Sequence, residues 1–226
     1  MYVWIFMENN SLIATTEAFV KEQLADSEAG HNWDHIRRVR GIAMDIASTL
    51  PAANVVVVEI GALLHDISDA KFNGGDEDRG ERIARRFLAH KPLPSSDKEK
   101  IRKIIRYVSF KGGNNACHEP FIELHIVQDA DRLDALGAIG IARAFHYGGY
   151  KNRALYDPET PPMLNMTTEQ YRNAQTSTIH HFYEKLLLLK TLMHTERGKQ
   201  IAAQRHAFME SFLTQFFKEW NLIITL

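Results

Sequence analysis

The spacing of apolar residues does most to limit the folds open to this chain. From residue 12 onward they recur at steps of three and four, the repeat of an α-helix, and no two segments alternate as neighbouring strands would. Residues 33–49 are representative, with Ile36, Val39, Ile42, Ala43, Ile46 and Ala47 on one face and Pro51 just past the end. Residues 12–28 carry Ile13, Ala14, Ala18, Phe19 and Leu24 behind a candidate cap at Ser11. The run Val55-Val56-Val57-Val58 has local strand character, but it continues apolar through Leu64 behind a capping Asn54 and is read as a buried helix. Further helices are expected over 76–90, over 95–109 with Ser95 or Ser96 as cap, over 122–146 with a break near Gly137, and over 177–194 and 198–220. Thr167 and Gln170 have the spacing of a capping box. The last helix is rich in Phe (208, 212, 216 and 217) and is expected to pack on the core.

Residues 110–120 and 147–166 hold the Gly, Asn and Pro of loops, and the second is long enough for a lid or binding loop. The expected fold is all-α, a single helical domain of about nine helices. Residues 1–10 are an N-terminal extension, and 11–226 form the domain, with a core at 31–135 and C-terminal helices over 167–220 packed on it. Met7, followed by polar Glu8-Asn9-Asn10, is read as the start of the natural chain; otherwise residues 1–6 form a short apolar arm.

Charge narrows the function classes. Lys and Arg number 27 and Asp and Glu 28, a net charge of −1, which weighs against a dedicated nucleic-acid binder but leaves room for a small anionic ligand. The single cysteine, Cys117, cannot form an intramolecular disulfide, which points to a reducing compartment and a cytoplasmic protein. No apolar run reaches the ~18 residues of a membrane span, and the opening residues lack the basic start and cleavage site of a signal peptide.

Four strings concentrate unusual chemistry: His31-Asn32-Trp33-Asp34-His35, His65-Asp66-Ile67-Ser68-Asp69-Ala70-Lys71, Ser109-Phe110-Lys111-Gly112-Gly113 and Asp129-Ala130-Asp131-Arg132-Leu133-Asp134. A carboxylate beside an imidazole at the end of an apolar helix needs compensation, and a divalent cation supplies it, since both groups are ligands for Mn, Fe, Co, Ni or Zn. Asp131 and Asp134 are one helical turn apart and can look into one pocket, while Asp129 points away as a cap or helix-end partner. His35 and Arg38 share a face one turn apart. His31 and His35 have the spacing of a metal pair, but His31 follows Gly30 at the helix start and is read as a substrate-side residue.

The ordered set His35, His65-Asp66 and Asp131 resembles the H…HD…D signature of the HD-domain metal-dependent phosphohydrolase superfamily. The strings His-x-Trp-x-His-x-x-Arg-Val (31–39), His-Asp-Ile-x-Asp-x-Lys-Phe (65–72), Ser-Phe-Lys-Gly-Gly (109–113) and Val-Gln-Asp-Ala-Asp-Arg-Leu-Asp-Ala (127–135) are similar to one bacterial subfamily of small stand-alone HD hydrolases. The likeness extends to Tyr183-Glu184-Lys185-Leu186 and to Arg205-His206-x-Phe208-Met209, and so covers about residues 12–220. It implies an all-α HD fold, a nucleotide pyrophosphohydrolase-like activity, and a metal site made of His35, His65, Asp66 and Asp131. One departure is visible: Asn32 stands where that subfamily usually has Asp, which touches a supporting hydrogen bond or a substrate contact.

Such a donor set suits one divalent ion, with manganese favoured among Mn, Co, Ni, Fe and Mg. Asp69, three residues after Asp66, is assigned water orientation or general base, and Asp134 is the second candidate for that role. Lys71, Lys111 before Gly112-Gly113, Arg38 and His31 are expected to meet the substrate, with Arg132 turned away toward an ion pair. Tyr147, Tyr150 and Tyr156 are available for stacking on a base. The expected reaction is hydrolysis of a nucleoside di- or triphosphate to the monophosphate with release of phosphate or pyrophosphate. The rival readings are a monophosphate or cyclic-phosphate hydrolase on the same site, a non-catalytic nucleotide-binding module, and a di-iron oxygenase, for which two further histidines are not evident. The partner is therefore a small phosphorylated anion such as a nucleotide, with no membrane and no nucleic acid; a homodimer stays open.

Overall fold

The most apolar stretch of the chain becomes the centre of its first half. The computed structural model describes residues 2–25, 32–68, 76, 78–109, 117–164, 166–167, 170 and 176–221. Among the described residues are nine α-helices and one 3-10 helix, and no strand. They fall into two compact units, Met1–Asp131 and Arg132–Leu226. No described helix is long and apolar enough to cross a membrane.

In the first unit α1 (Tyr2–Gln23), α2 (Trp33–Ser48) and α5 (Ser95–Tyr107) all pack on α3 (Val55–Leu64), and α4 (Arg79–Ala89) packs on α5. The four valines are helical, as expected. Asn54 stands at the cap, its side chain accepting the Val57 N–H at 3.3 Å, and Val57 through Leu64 are buried except for Glu59. Burial on nearly every side favours the helix, which satisfies its own backbone, over a strand that would need partners. Gly61 lets α3 and α5 close, since a Cβ there would lie 2.7 Å from Ile104 Cδ1. Two polar ties fix the register. The Arg40 guanidinium of α2 donates to Glu17 of α1 at 2.6 Å and, through Nε, to Glu59 of α3 at 2.9 Å. Glu123, 2% exposed, accepts the Asn54 backbone N–H at 3.0 Å and the Lys100 ammonium at 3.1 Å. That joins the starts of α3 and α6 (Ile122–Asp134) to α5.

Three expected starts move. α1 does not begin behind Ser11 but runs through it from Tyr2, so ten residues read as an extension are largely helical; no Gly or Pro interrupts 2–11, and a cap residue alone does not stop a helix. α5 begins at Ser95 after Pro94, so Ser95 and Ser96 lie inside the helix. α4 starts at Arg79, later than 76.

In the second unit Gly137, at φ +73°, makes the break that the sequence suggests and opens α7 (Gly137–Tyr150). α7 continues through Gly148 and Gly149, which had the look of a loop; Gly148 is needed because a Cβ there would collide with the Thr178 hydroxyl. Residues 177–194 split into α8 (Thr178–Glu184) and a 3-10 helix (Leu186–Leu192). Thr195 caps the long α9 (Glu196–Trp220), accepting the Gly198 N–H at 3.0 Å. α9 packs on α7 and on the 3-10 helix, and Phe145, Phe182 and Phe212 meet with ring centroids 5.8–6.1 Å apart. Phe208 is exposed, contrary to the packing expected of it. The capping box is present: Thr167 N–H donates to Gln170 Oε1 at 2.9 Å and Gln170 N–H to Thr167 Oγ1 at 3.2 Å.

Candidate metal centre

Two helix ends and one helix face bring four ligand-type side chains together, all within the first unit. The first is the start of α2. Asn32 is its cap, and its side-chain oxygen accepts the backbone N–H groups of Asp34 at 3.1 Å and His35 at 3.3 Å. The unusual Asn is thus a cap that an Asp would also supply, and it anchors the backbone of His35 itself. His35, one turn in, is buried.

The second is the end of α3. His65 occupies the C-cap position, and its Nδ1 meets the Ala62 carbonyl at 2.8 Å. A carbonyl accepts, so Nδ1 carries the hydrogen. One of the unpaired carbonyls of the last helical turn is satisfied, and the ring is fixed with Nε2 toward the site. Asp66 follows immediately. The third is α6, which presents Asp131.

The resulting distances are short. His35 Nε2 lies 3.2 Å from His65 Nε2, 3.5 Å from Asp131 Oδ1 and 3.9 Å from Asp66 Oδ2. His65 Nε2 lies 3.7 Å from Asp131 Oδ1. Ligand atoms of His35, His65 and Asp66 fit within a 4.8 Å spread, a group that could hold a metal ion. Ligands held ~2.0–2.2 Å from a shared ion stand roughly 3 Å or more apart, so these separations match a common coordination sphere.

The electrostatics point the same way. Two neutral imidazoles would face each other with a lone pair on His65 Nε2, beside two carboxylates, in a largely buried setting. Burial opposes a charge on His65, but the hydrogen bond and charge of Asp131, the Asp66 carboxylate and the Ala62 carbonyl outweigh it and raise its pKa above the ordinary 6.5. The cluster calls for a positive charge, and a proton or a cation answers it. The mixed nitrogen and oxygen donors fit a divalent transition ion better than calcium.

Of the other residues singled out in the sequence, His31, Asp69, Lys71 and Lys111 lie outside the described residues. Arg38 is half-buried, one turn beyond His35 on α2. Asp129 lies inside α6 and is buried, rather than at a helix end. Asp134 is 1% exposed, and its Oδ2 accepts from the Arg143 guanidinium at 2.6 Å. That pairing occupies one of its carboxylate oxygens. Arg132 donates to the Leu192 carbonyl and to His194 Nε2 at 3.0 Å. Tyr147 and Tyr150 sit on α7 with the Lys151 ammonium 5.8 and 5.1 Å from their rings, and Tyr156 is packed edge-on against His180, Phe217 and Trp220. The Ala62 carbonyl was missed altogether, because a backbone acceptor leaves no mark in a side-chain motif.

A model of the HD domain matches residues 32–136 of the chain. The chain is 34% identical over 202 residues to the uncharacterized protein YpgQ of Bacillus subtilis (strain 168), spanning 89% of this chain and 90% of YpgQ. The crystal structure of YpgQ in complex with ADP superposes with a TM-score of 0.70 at 32% identity, over 92% of this chain and 97% of YpgQ. A protein from Lactobacillus plantarum superposes with a TM-score of 0.82 at 37% identity, over 94% and 98% of the two chains. An HD-superfamily hydrolase from Bacillus thuringiensis does so with a TM-score of 0.73 at 40% identity, again over 94% and 98%.

Proposed function

The chain belongs to the HD-domain phosphohydrolase superfamily, and from that premise we propose that it hydrolyses the phosphoric anhydride of a nucleoside di- or triphosphate, leaving the monophosphate and releasing phosphate or pyrophosphate. The observation that carries the reading is the convergence of His35, His65 and Asp131, with nitrogens and oxygen 3.2–3.7 Å apart and Asp66 beside them. These four residues would hold one divalent ion, with manganese favoured. When bound, such an ion supplies Lewis-acid charge to a phosphoryl group and acidifies water.

The remaining work falls to the chain's own groups. The Ala62 carbonyl keeps the His65 imidazole aimed, and the Asn32 cap fixes the backbone that carries His35. Asp69, three residues past Asp66, orients the attacking water and takes its proton. Lys71, Lys111, Arg38 and His31 neutralise the phosphates and hold them in line for attack. Asp134 keeps to its pairing with Arg143. The nucleotide class is supported by YpgQ, which was crystallised in complex with ADP. A nucleotide substrate and a lone Cys117 fit a reducing, cytoplasmic setting.

The test is a panel of nucleoside mono-, di- and triphosphates and cyclic nucleotides, assayed with Mn²⁺, Co²⁺, Ni²⁺ and Mg²⁺. Phosphate and pyrophosphate are read separately. Turnover of di- or triphosphates to the monophosphate, strongest with Mn²⁺, is expected. Turnover confined to monophosphates or cyclic nucleotides overturns the anhydride assignment, and no turnover on any of them overturns the enzyme reading.

A further inference from the structure

The second unit carries a cavity of its own that the hydrolase chemistry does not use. Its volume is about 410 Å³, within the range of small-ligand clefts, and it lies against the loop after α7, α8 and the end of α9. Tyr156, His180, Tyr183 and Phe217 line it with aromatic rings, Pro161 and Pro162 line it as well, and the exposed Glu159 brings a carboxylate. Among the described residues no lysine or arginine lines it.

The cavity is built rather than slack. Asp157 holds the loop in shape, accepting the Glu159 N–H at 3.0 Å and the Thr160 hydroxyl at 2.9 Å. Buried Glu184 pins the loop's far end, accepting the Met163 N–H at 3.0 Å and the Thr176 hydroxyl at 2.8 Å. Tyr156 is locked by edge-on contacts with His180, Phe217 and Trp220 at 5.3–5.5 Å. Walls fixed in advance remove much of the ordering cost of binding.

One atom there is left over. His180 is 3% exposed, and its Nδ1 has no hydrogen-bond partner among the described residues. A buried unpaired ring nitrogen is unfavourable in the empty protein.

We propose that this cavity binds a small planar organic cation of the amidinium, guanidinium or arylammonium class, with the aromatic walls facing its flat body and Glu159 meeting its charge. The chemistry of the lining selects that class. Aromatic rings present negative faces to a cation. The phenol oxygens and the carboxylate accept hydrogen bonds, and such a cation brings N–H donors to each. With a carboxylate and, among the described residues, no lining cation, phosphates and carboxylates are disfavoured, so this site is distinct in kind from one for nucleotides.

Three isosteric probes test it on the full-length protein by calorimetry: benzamidine with a positive charge, neutral benzamide and negative benzoate. Benzamidine is expected to bind saturably at one site, with benzamide about tenfold weaker or worse and benzoate not detected. Glu159→Gln, at an exposed position, is expected to weaken benzamidine about tenfold without altering the melting temperature, and Tyr183→Phe to weaken it by a smaller factor. Asp66→Ala, which removes a carboxylate from the metal centre, is expected to leave benzamidine binding unchanged. Equal binding of benzamidine and benzamide, an unaffected Glu159→Gln variant, loss of binding in Asp66→Ala, or no binding of benzamidine would each overturn the proposal.

Discussion

His35 Nε2 and His65 Nε2 face each other at 3.2 Å, and the other ring nitrogen of His65 is already committed to the Ala62 carbonyl at 2.8 Å. Both rings therefore direct the same atom inward, and His65 cannot turn away without giving up the contact that holds it. The pair is prepared for a shared cation before one arrives.

Removing one member should disarm the pair without unfolding the helices. For Asp66→Ala and for His35→Ala we expect Mn²⁺ affinity to fall by about two orders of magnitude and nucleotide turnover to fall by at least as much. Circular dichroism should show unchanged helicity. Full activity in either variant would remove these residues from the centre.

The metal-free protein should carry a signature in its pH dependence. In the fold, the pKa of His65 stands above 6.5, raised against burial by Asp131, Asp66 and the Ala62 carbonyl. A folded value above the unfolded one means that the stabilisation is complete below about pH 6.5 and is lost as pH rises through the folded value. Melting temperatures measured in chelator should therefore decline on that alkaline side. Saturating Mn²⁺ replaces the proton and should flatten the decline. A chelated protein whose melting temperature is level or rising across that interval would contradict the assignment.

Asp134 and Arg143 offer a separation of stability from catalysis. Arg143→Ala leaves a carboxylate buried with less compensation, and should cost about 3 kcal/mol in chemical denaturation; the charge of Arg205 nearby holds it to the lower end of the range. Asp134→Asn keeps a hydrogen-bond acceptor for Arg143 and should retain most of kcat at a temperature where it is folded. A kcat reduced about a hundredfold or more in that variant would return Asp134 to the proton-transfer role.

Gly61 tests how far the site depends on packing behind it. A Cβ at this position meets Ile104 Cδ1 at 2.7 Å, so Gly61→Ala forces α3 and α5 apart or moves the Ile104 side chain. Overpacking of this kind costs about 1–3 kcal/mol. Because α3 ends at His65, Mn²⁺ affinity should weaken as well. A variant as stable as the parent protein would show that Ile104 absorbs the added methyl unaided.

What could be read from the sequence follows a physical division. The helical repeat was legible because it depends on each segment's own apolar spacing, and the buried α3 survived four valines because Asn54 and the length of the run both favoured helix. Features that depend on a distant partner were not legible. The face-sharing of Asp131 and Asp134 is correct along α6, yet Arg143, nine residues on and across the break at Gly137, claims Asp134. Ser11 has the chemistry of a cap, but nothing before it breaks the helix. Gly148 and Gly149 have the chemistry of a loop, and only the approach of Thr178 explains a glycine within α7. At the centre, the four side chains were named through family likeness, whereas the acceptor that aims His65 belongs to the backbone.

Only two residues, Leu63 and Leu64, separate His65 from the carbonyl oxygen that steers its ring. Its aim is thus a property of one short stretch of chain, independent of who its neighbours are. Spliced onto the end of an unrelated helix, Ala62-Leu63-Leu64-His65-Asp66 would bring a pre-set imidazole with it, a portable half of a binding site awaiting a second strand of ligands from elsewhere.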